Sequence, residues 1–224
     1  MEQSEKQVPQ VERSILGAVL AGGRSRRLGR DKALLEYRGE PLVLRAARVL
    51  KQVFSRVVVV SPLRESYSRL GLDLVEDIVP DAGPLGGLHA ALVDADGRNV
   101  FILACDHPFV EAPLVRYVTT LHTKPGEQGG RGRAARAHVA QWKERLYPLC
   151  GLYSAECREP IGERLSRGEL RVHDFLRSIE TRAVAITEEL PFYHPGALVN
   201  LNRPEDLSLL ESLQFPGAAV DRDR

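Results

Sequence analysis

Cysteine is scarce in this 224-residue chain, which holds only Cys105, Cys150 and Cys157. An odd set without Cys-x-x-Cys spacing frames neither a disulfide scaffold nor a zinc site. An excess of one charge is also missing. The 31 Lys and Arg against 30 Asp and Glu leave a formal net charge of +1, whereas nucleic-acid binders carry a clear basic excess. No apolar run approaches the roughly 18 residues that read as a membrane-spanning helix. The opening MEQSEKQVPQVERS lacks the apolar core of a secretory signal. A cytoplasmic protein in a reducing compartment is therefore expected, with neither nucleic acid nor membrane as partner. Two phosphate-binding signatures are absent as well: the Gly-x-x-x-x-Gly-Lys-Ser/Thr loop and the Gly-x-Gly-x-x-Gly fingerprint. No nucleophile has a visible base beside it, since neither Ser25 nor Ser61 has a histidine nearby in sequence.

What the chain does have is an ordinary apolar content of 43%, enough for a sizeable core in one domain. Apolar runs at 15–21, 56–60, 72–75 and 99–104 read as strands, the second carrying four consecutive valines. Helical spacing appears at 41–54, 84–93 and 113–121 between or after them. That alternation predicts an α/β fold with a mostly parallel sheet and helices on both faces. Residues 137–142 and 145–153 read as a hairpin around Lys143 and Glu144. Helices are expected at 156–165, 168–179 and from Pro204, with short strands at 183–186 and 199–201. The expected organisation is a tail at 1–13, a domain at 14–214 and a second tail at 215–224. Residues 124–134, rich in Gly and Arg, read as a solvated insertion, with an anionic-substrate lid as the other reading.

The chemistry concentrates after the first strand. LAGGRSRRLGRDK, residues 20–32, places Gly22, Gly23 and Gly29 among Arg24, Arg26, Arg27, Arg30 and Lys32. Glycine lets backbone approach a ligand closely. Successive N–H groups in such a turn make a concave anion site, and the cations neutralise phosphate charge. This stretch reads as a polyphosphate loop. In a parallel sheet ligands collect at the carboxyl ends of strands, where Asp77 and Asp106 are also expected. Asp106 is the candidate metal ligand, because Mg2+ is commonly held by one or two carboxylates plus substrate phosphates. Asp77 could touch a base or ribose, or help the metal. Transfer of a phosphoryl or nucleotidyl group needs no protein nucleophile, only positioning and charge stabilisation, for which Arg27 and Lys32 are the candidates.

The same stretch resembles the L-A-G-G-x-S-x-R-x-G-x-D-K signature of the molybdenum cofactor guanylyltransferase family, and every fixed position is present. VEDIVPDAGPLGGLHAAL (75–92), FILACDHPF (101–109), YPLCGLY (147–153) and NLNRPEDL (200–207) resemble further family segments in the same order. The resemblance implies a Rossmann-like nucleotidyltransferase fold. It implies transfer of GMP from GTP to the terminal phosphate of molybdenum-molybdopterin, with Mg2+, giving molybdopterin guanine dinucleotide cofactor and pyrophosphate. By motif, Leu20, Ala21, Gly22, Gly23, Lys32, Asp77 and Asp106 would bind GTP, with Asp106 on the metal. Arg27, Lys32 and Asp106 would be catalytic. Gly83, Gly87, Arg171, Asn200 and Asn202 would line the molybdopterin side. Molybdoenzymes or their chaperones would be further partners of a monomer.

Two segments depart from the family pattern. Ser61 follows the four valines where many relatives have an asparagine for the base, and AHVAQWKERL (137–146) replaces a more typical stretch. Three alternatives stay open: a cytidylyltransferase for the same cofactor, a sugar-phosphate nucleotidyltransferase, and a non-enzymatic nucleotide-binding delivery protein. Gly22, where cytidylyl relatives resemble L-A-A-G, leaves room that favours guanine, although one methyl group discriminates only modestly.

Overall fold

The first strand, β1 (Glu12–Leu20), is flanked on both sides by parallel partners, which is why its apolar residues run almost unbroken. The computed structural model describes residues 12–22, 31–62, 67–123 and 134–201. After β1 comes a short 3-10 turn, Lys32–Leu34, and a two-residue antiparallel pair, β2 (Glu36–Tyr37) with β3 (Glu40–Pro41). Its tight turn uses positive φ at Arg38 and Gly39, the conformation a two-residue hairpin loop demands. Helix α1 (Leu42–Lys51) leads into β4 (Phe54–Val60), then β5 (Leu74–Val75), α2 (Gly83–Asp94), β6 (Asn99–Ala104) and α3 (Ala112–Thr123). The hairpin β7 (Ala137–Trp142) and β8 (Arg145–Tyr153) follows, then α4 (Arg158–Ser166), α5 (Val172–Ser178) and β9 (Thr181–Ala185).

Seven strands form one sheet in the order β5-β4-β1-β6-β8-β7-β9. Among the described residues only β8 runs antiparallel to its neighbours in this sheet. Alternation along β1 sends Ile15 and Val19 to one face and Leu16, Ala18 and Leu20 to the other. The first face packs α1 and α3 through Val43, Leu50, Val115 and Val118. The second packs α2, α4 and α5 through Leu88, Leu92, Ile161 and Phe175. The expected mostly parallel α/β sheet with helices on both faces is what the chain forms. No helix among the described residues is long and apolar enough to cross a membrane.

Several boundaries differ from the sequence expectation. Strand β1 begins at Glu12 rather than residue 15, its first residue pairing with Phe54. Helix α1 stops at Lys51, because Val53 and Phe54 are claimed by β1: Glu12 N–H donates to the Val53 carbonyl. Pro41 sits before α1 as its cap and pairs with Glu36. Residues 199–201 form no strand; they are held by isolated bonds instead. The helix expected from Pro204 lies outside the described residues.

Candidate active site

Strands β1, β4 and β6 end side by side, and the hydrogen-bond ladder continues one residue past each. Ala21 N–H donates to the Val60 carbonyl (3.0 Å), Cys105 N–H to Leu20 (3.2 Å), and Ser61 N–H to Val75 (3.1 Å). Whatever follows these strands is therefore fixed at one edge: Gly22 after β1, Ser61 and Pro62 after β4, Asp106 after β6. Leu20 and Ala21 are buried, so a ligand at this edge would meet their backbone and the exposed Gly22 rather than their side chains.

Asp106 and Lys32, 74 positions apart, meet here: Lys32 Nζ lies 3.0 Å from Asp106 Oδ2. The other carboxylate oxygen, Oδ1, is buried and has no hydrogen-bond partner among the described residues. A buried acceptor without a donor is costly, and a hard cation would satisfy it. No group of three His, Cys, Asp or Glu among the described residues could make a cage. A cation would thus be held by one carboxylate and shared with a substrate, the arrangement that suits Mg2+. Neighbouring His107 is buried, with Nε2 4.0 Å from Asp106 Oδ1. Burial pushes its pKa below the ordinary imidazole range, against the pull of Asp106. It is neutral at pH 7 and supplies no positive charge.

The turn that carries Lys32 is anchored from outside. Asp31 caps it, Oδ1 accepting from Ala33 N–H at 3.0 Å. Asp31 Oδ2 accepts from the hydroxyl of Tyr67. Tyr67 is fully buried, and its hydroxyl lies 3.4 Å from the Ala21 carbonyl. The buried Ser61 side chain bonds to the same phenol oxygen. Burial, then the Asp31 carboxylate, raises the phenol pKa far above its usual value, so the group stays a donor.

The turn after β6 is fixed on its far side. Leu201 N–H donates to the Asp106 carbonyl at 2.9 Å, which brings Asn200 beside Asp106. Arg45 Nε donates to the Pro108 carbonyl, and its guanidinium lies 5.3 Å from the Tyr37 ring. Phe109 meets Tyr37 edge-on at 5.4 Å and stacks with His194 at 6.2 Å.

Asp77 stands apart from this pair. It follows β5, with β4 and β1 between it and β6. Its Oδ1 accepts from Val79 N–H at 3.3 Å, and burial raises its carboxyl above the usual range. A Cβ on Gly86 would come within 3.1 Å of the same oxygen, so the first turn of α2 lies against Asp77. Gly83 is exposed with φ +63°, whereas Gly87 is buried, its missing Cβ making room for Leu20. Arg171 is the exposed cap of α5, and no described contact links it to Asp106. Gly23, Arg27 and Asn202 lie outside the described residues. Sequence reasoning missed Tyr67 and gave Ser61 no role. One tyrosine in SPLRESYSRLG gives no local sign that it bonds 36 positions back to Asp31.

The edge as built offers the exposed Gly22 after β1, the buried Asp106 Oδ1 after β6, and Asn200 brought close to Asp106 by the Leu201 bond. The family profile described as MobA-like NTP transferase domain matches residues 17–184. A Pelotomaculum thermopropionicum protein called "Probable molybdenum cofactor guanylyltransferase" is 37% identical over 199 residues, covering 85% of this chain and 89% of its own. The molybdenum cofactor guanylyltransferase of Syntrophotalea carbinolica is 32% identical over 190 residues, covering 84% and 86%. A crystal structure of an Aquifex aeolicus protein superimposes with a TM-score of 0.67 at 34% identity, covering 84% of this chain and 93% of that one.

Proposed function

The chain belongs to the MobA-like NTP transferase family, and from that premise we propose that it transfers GMP from GTP to molybdenum-molybdopterin. The acceptor's terminal phosphate oxygen forms the new bond to the α-phosphorus of GTP. The bond from that phosphorus to the β-phosphate bridge breaks, and pyrophosphate leaves with the electron pair. The observation that carries the reading is the pairing of Lys32 with one oxygen of Asp106 while the other is buried with no hydrogen-bond partner among the described residues. Asp106 Oδ1 would hold a divalent cation, Mg2+ in this reading, which when bound neutralises phosphate charge. Lys32 holds Asp106 in place before substrate arrives and sets a positive charge where the departing pyrophosphate gains negative charge. The backbone of Leu20 and Ala21 and the bare Gly22 form the nucleotide side of the edge. Asp77, beside the first turn of α2, serves the nucleoside end, and Asn200 serves the acceptor side.

The purified chain with Mg-GTP and molybdopterin is expected to yield the dinucleotide and one pyrophosphate per turnover. Faster use of CTP would make it a cytidylyltransferase. Tight GTP binding without pyrophosphate release, with acceptor present, would make it a delivery protein. Asp106→Ala should abolish transfer without loss of fold. A folded variant with near-normal turnover would remove Asp106 from the mechanism.

A further inference from the structure

We propose that Tyr67 is a positioning residue of this site, fixing Lys32 through Asp31; the proposal rests on the nucleotidyl-transfer reading above. Lys32 sits on a three-residue 3-10 turn, closed by bonds from Leu34 N–H to the Asp31 carbonyl and from Leu35 N–H to the Lys32 carbonyl, both 3.1 Å. A single turn is too short to hold its own place, since helix nucleation is unfavourable without outside contacts. Ala33 packs into the core under α1 and Leu42 N–H donates to the Leu35 carbonyl, but the side-chain contact next to Lys32 is the Asp31 carboxylate, and both its oxygens are committed. One caps the turn at Ala33 N–H, and the other accepts the Tyr67 hydroxyl. Asp31 cannot rotate without breaking one of these bonds, and Lys32 moves with it.

Tyr67 is itself fixed from two strands. Ser61 at the end of β4 bonds its oxygen, and the Ala21 carbonyl at the end of β1 lies 3.4 Å away. Lys32 then reaches Asp106 at the end of β6. One buried phenol thus registers three strand ends against the cation that meets the substrate. Its ring is packed in the core, so Tyr67→Phe would keep the packing and delete only the donor. This also accounts for Ser61: with 1% exposure it is a partner of Tyr67, not a group offered to a base.

The test is a double-mutant cycle with Tyr67→Phe, Lys32→Ala and the pair, each checked for fold by circular dichroism and thermal melting. Misplacement of a reacting group by about 1 Å costs up to about 100-fold, so Tyr67→Phe is expected to lower kcat about tenfold while KM for GTP changes less. Added to Lys32→Ala, it should change kcat by less than about twofold, because groups that act through one another are not additive. An unchanged kcat in Tyr67→Phe, or the same loss with and without Lys32, would overturn the proposal. Should Tyr67→Phe not fold, Asp31→Asn replaces it in the same cycle with the same expectations. A readout independent of turnover separates this idea from the transfer reading. Reductive methylation of Lys32, followed by mass spectrometry against the exposed Lys51 as control, should run about tenfold faster in Tyr67→Phe, since a released amine is a free one. An equal rate would sink the proposal even if the wild type proves inactive toward GTP.

Discussion

Burial raises the Asp77 carboxyl above its ordinary range, and the Val79 N–H opposes it only in part. The sign of the consequence follows from proton counting. Between its unfolded value of 3.8 and its raised folded value, Asp77 binds more protons folded than unfolded, so stability falls as pH rises through that window. Above that window the full cost is present. Asp77→Asn should therefore be more stable than wild type at pH 7 in urea denaturation, and the gap should close as pH drops toward 3.8. A less stable variant at pH 7 would mean that the bond to Val79 N–H outweighs the burial. If Asp77 serves the nucleoside end as proposed, its cost to the fold is a trade between stability and activity.

The elements carry two further expectations. Gly17 lies under α1, where a Cβ would come within 2.9 Å of Phe54 Cδ2 and 3.3 Å of Val57 Cγ2. Gly17→Ala should thus cost about 1–3 kcal/mol, read by chemical denaturation, as overpacking of a filled core does. A loss below that range would show that Phe54 can swing aside. Helices α2 and α4 meet at His89, whose Nε2 lies 3.2 Å from where a Gly162 Cβ would be. Burial, then Arg158, lowers the His89 pKa. A histidine kept neutral by the fold contributes stability above its unfolded value of 6.5 that is lost as pH falls below it. Melting temperature should drop between pH 7 and 5, and His89→Gln should flatten that drop. These contacts explain what the sequence could and could not reveal. The bounds of β6, β7 and β8 were legible because each is an apolar or alternating run ended by polar residues. The end of α1 was not, because Phe54 continues its helical pattern and only the distant Glu12 draws it into a strand. Residues 199–201 look like a strand because Val199 and Leu201 are apolar and alternate with Asn200, but their backbone bonds go to single loop carbonyls, Gly196 and Asp106. Lys32 and Asp106 could be named from the sequence as candidate site residues. Their direct contact could not, and neither could the Asp31–Tyr67–Ser61 group, whose members come from three separate stretches.

At the scale of the molecule, the sheet grows outward from β1, with β4 and β5 on one side and β6 on the other. Both neighbours of β1 come later in the chain, and loops of that span close slowly, so folding in milliseconds to seconds is expected rather than microseconds. The lone reversed strand, β8, is what seals the outer side of β6. On the ribosome the chain emerges from its amino terminus, and β8 emerges after everything it protects. For the time needed to add the stretch from Thr123 to Tyr153, β6 presents a naked row of amides and carbonyls along an apolar strand. Such an edge is a template for pairing with another nascent copy. A polypeptide truncated after Thr123 should sediment as aggregate on expression, whereas one carried through Tyr153 should stay largely in the supernatant. Equal solubility of the two would show that the open edge is guarded by something other than its own last-made neighbour.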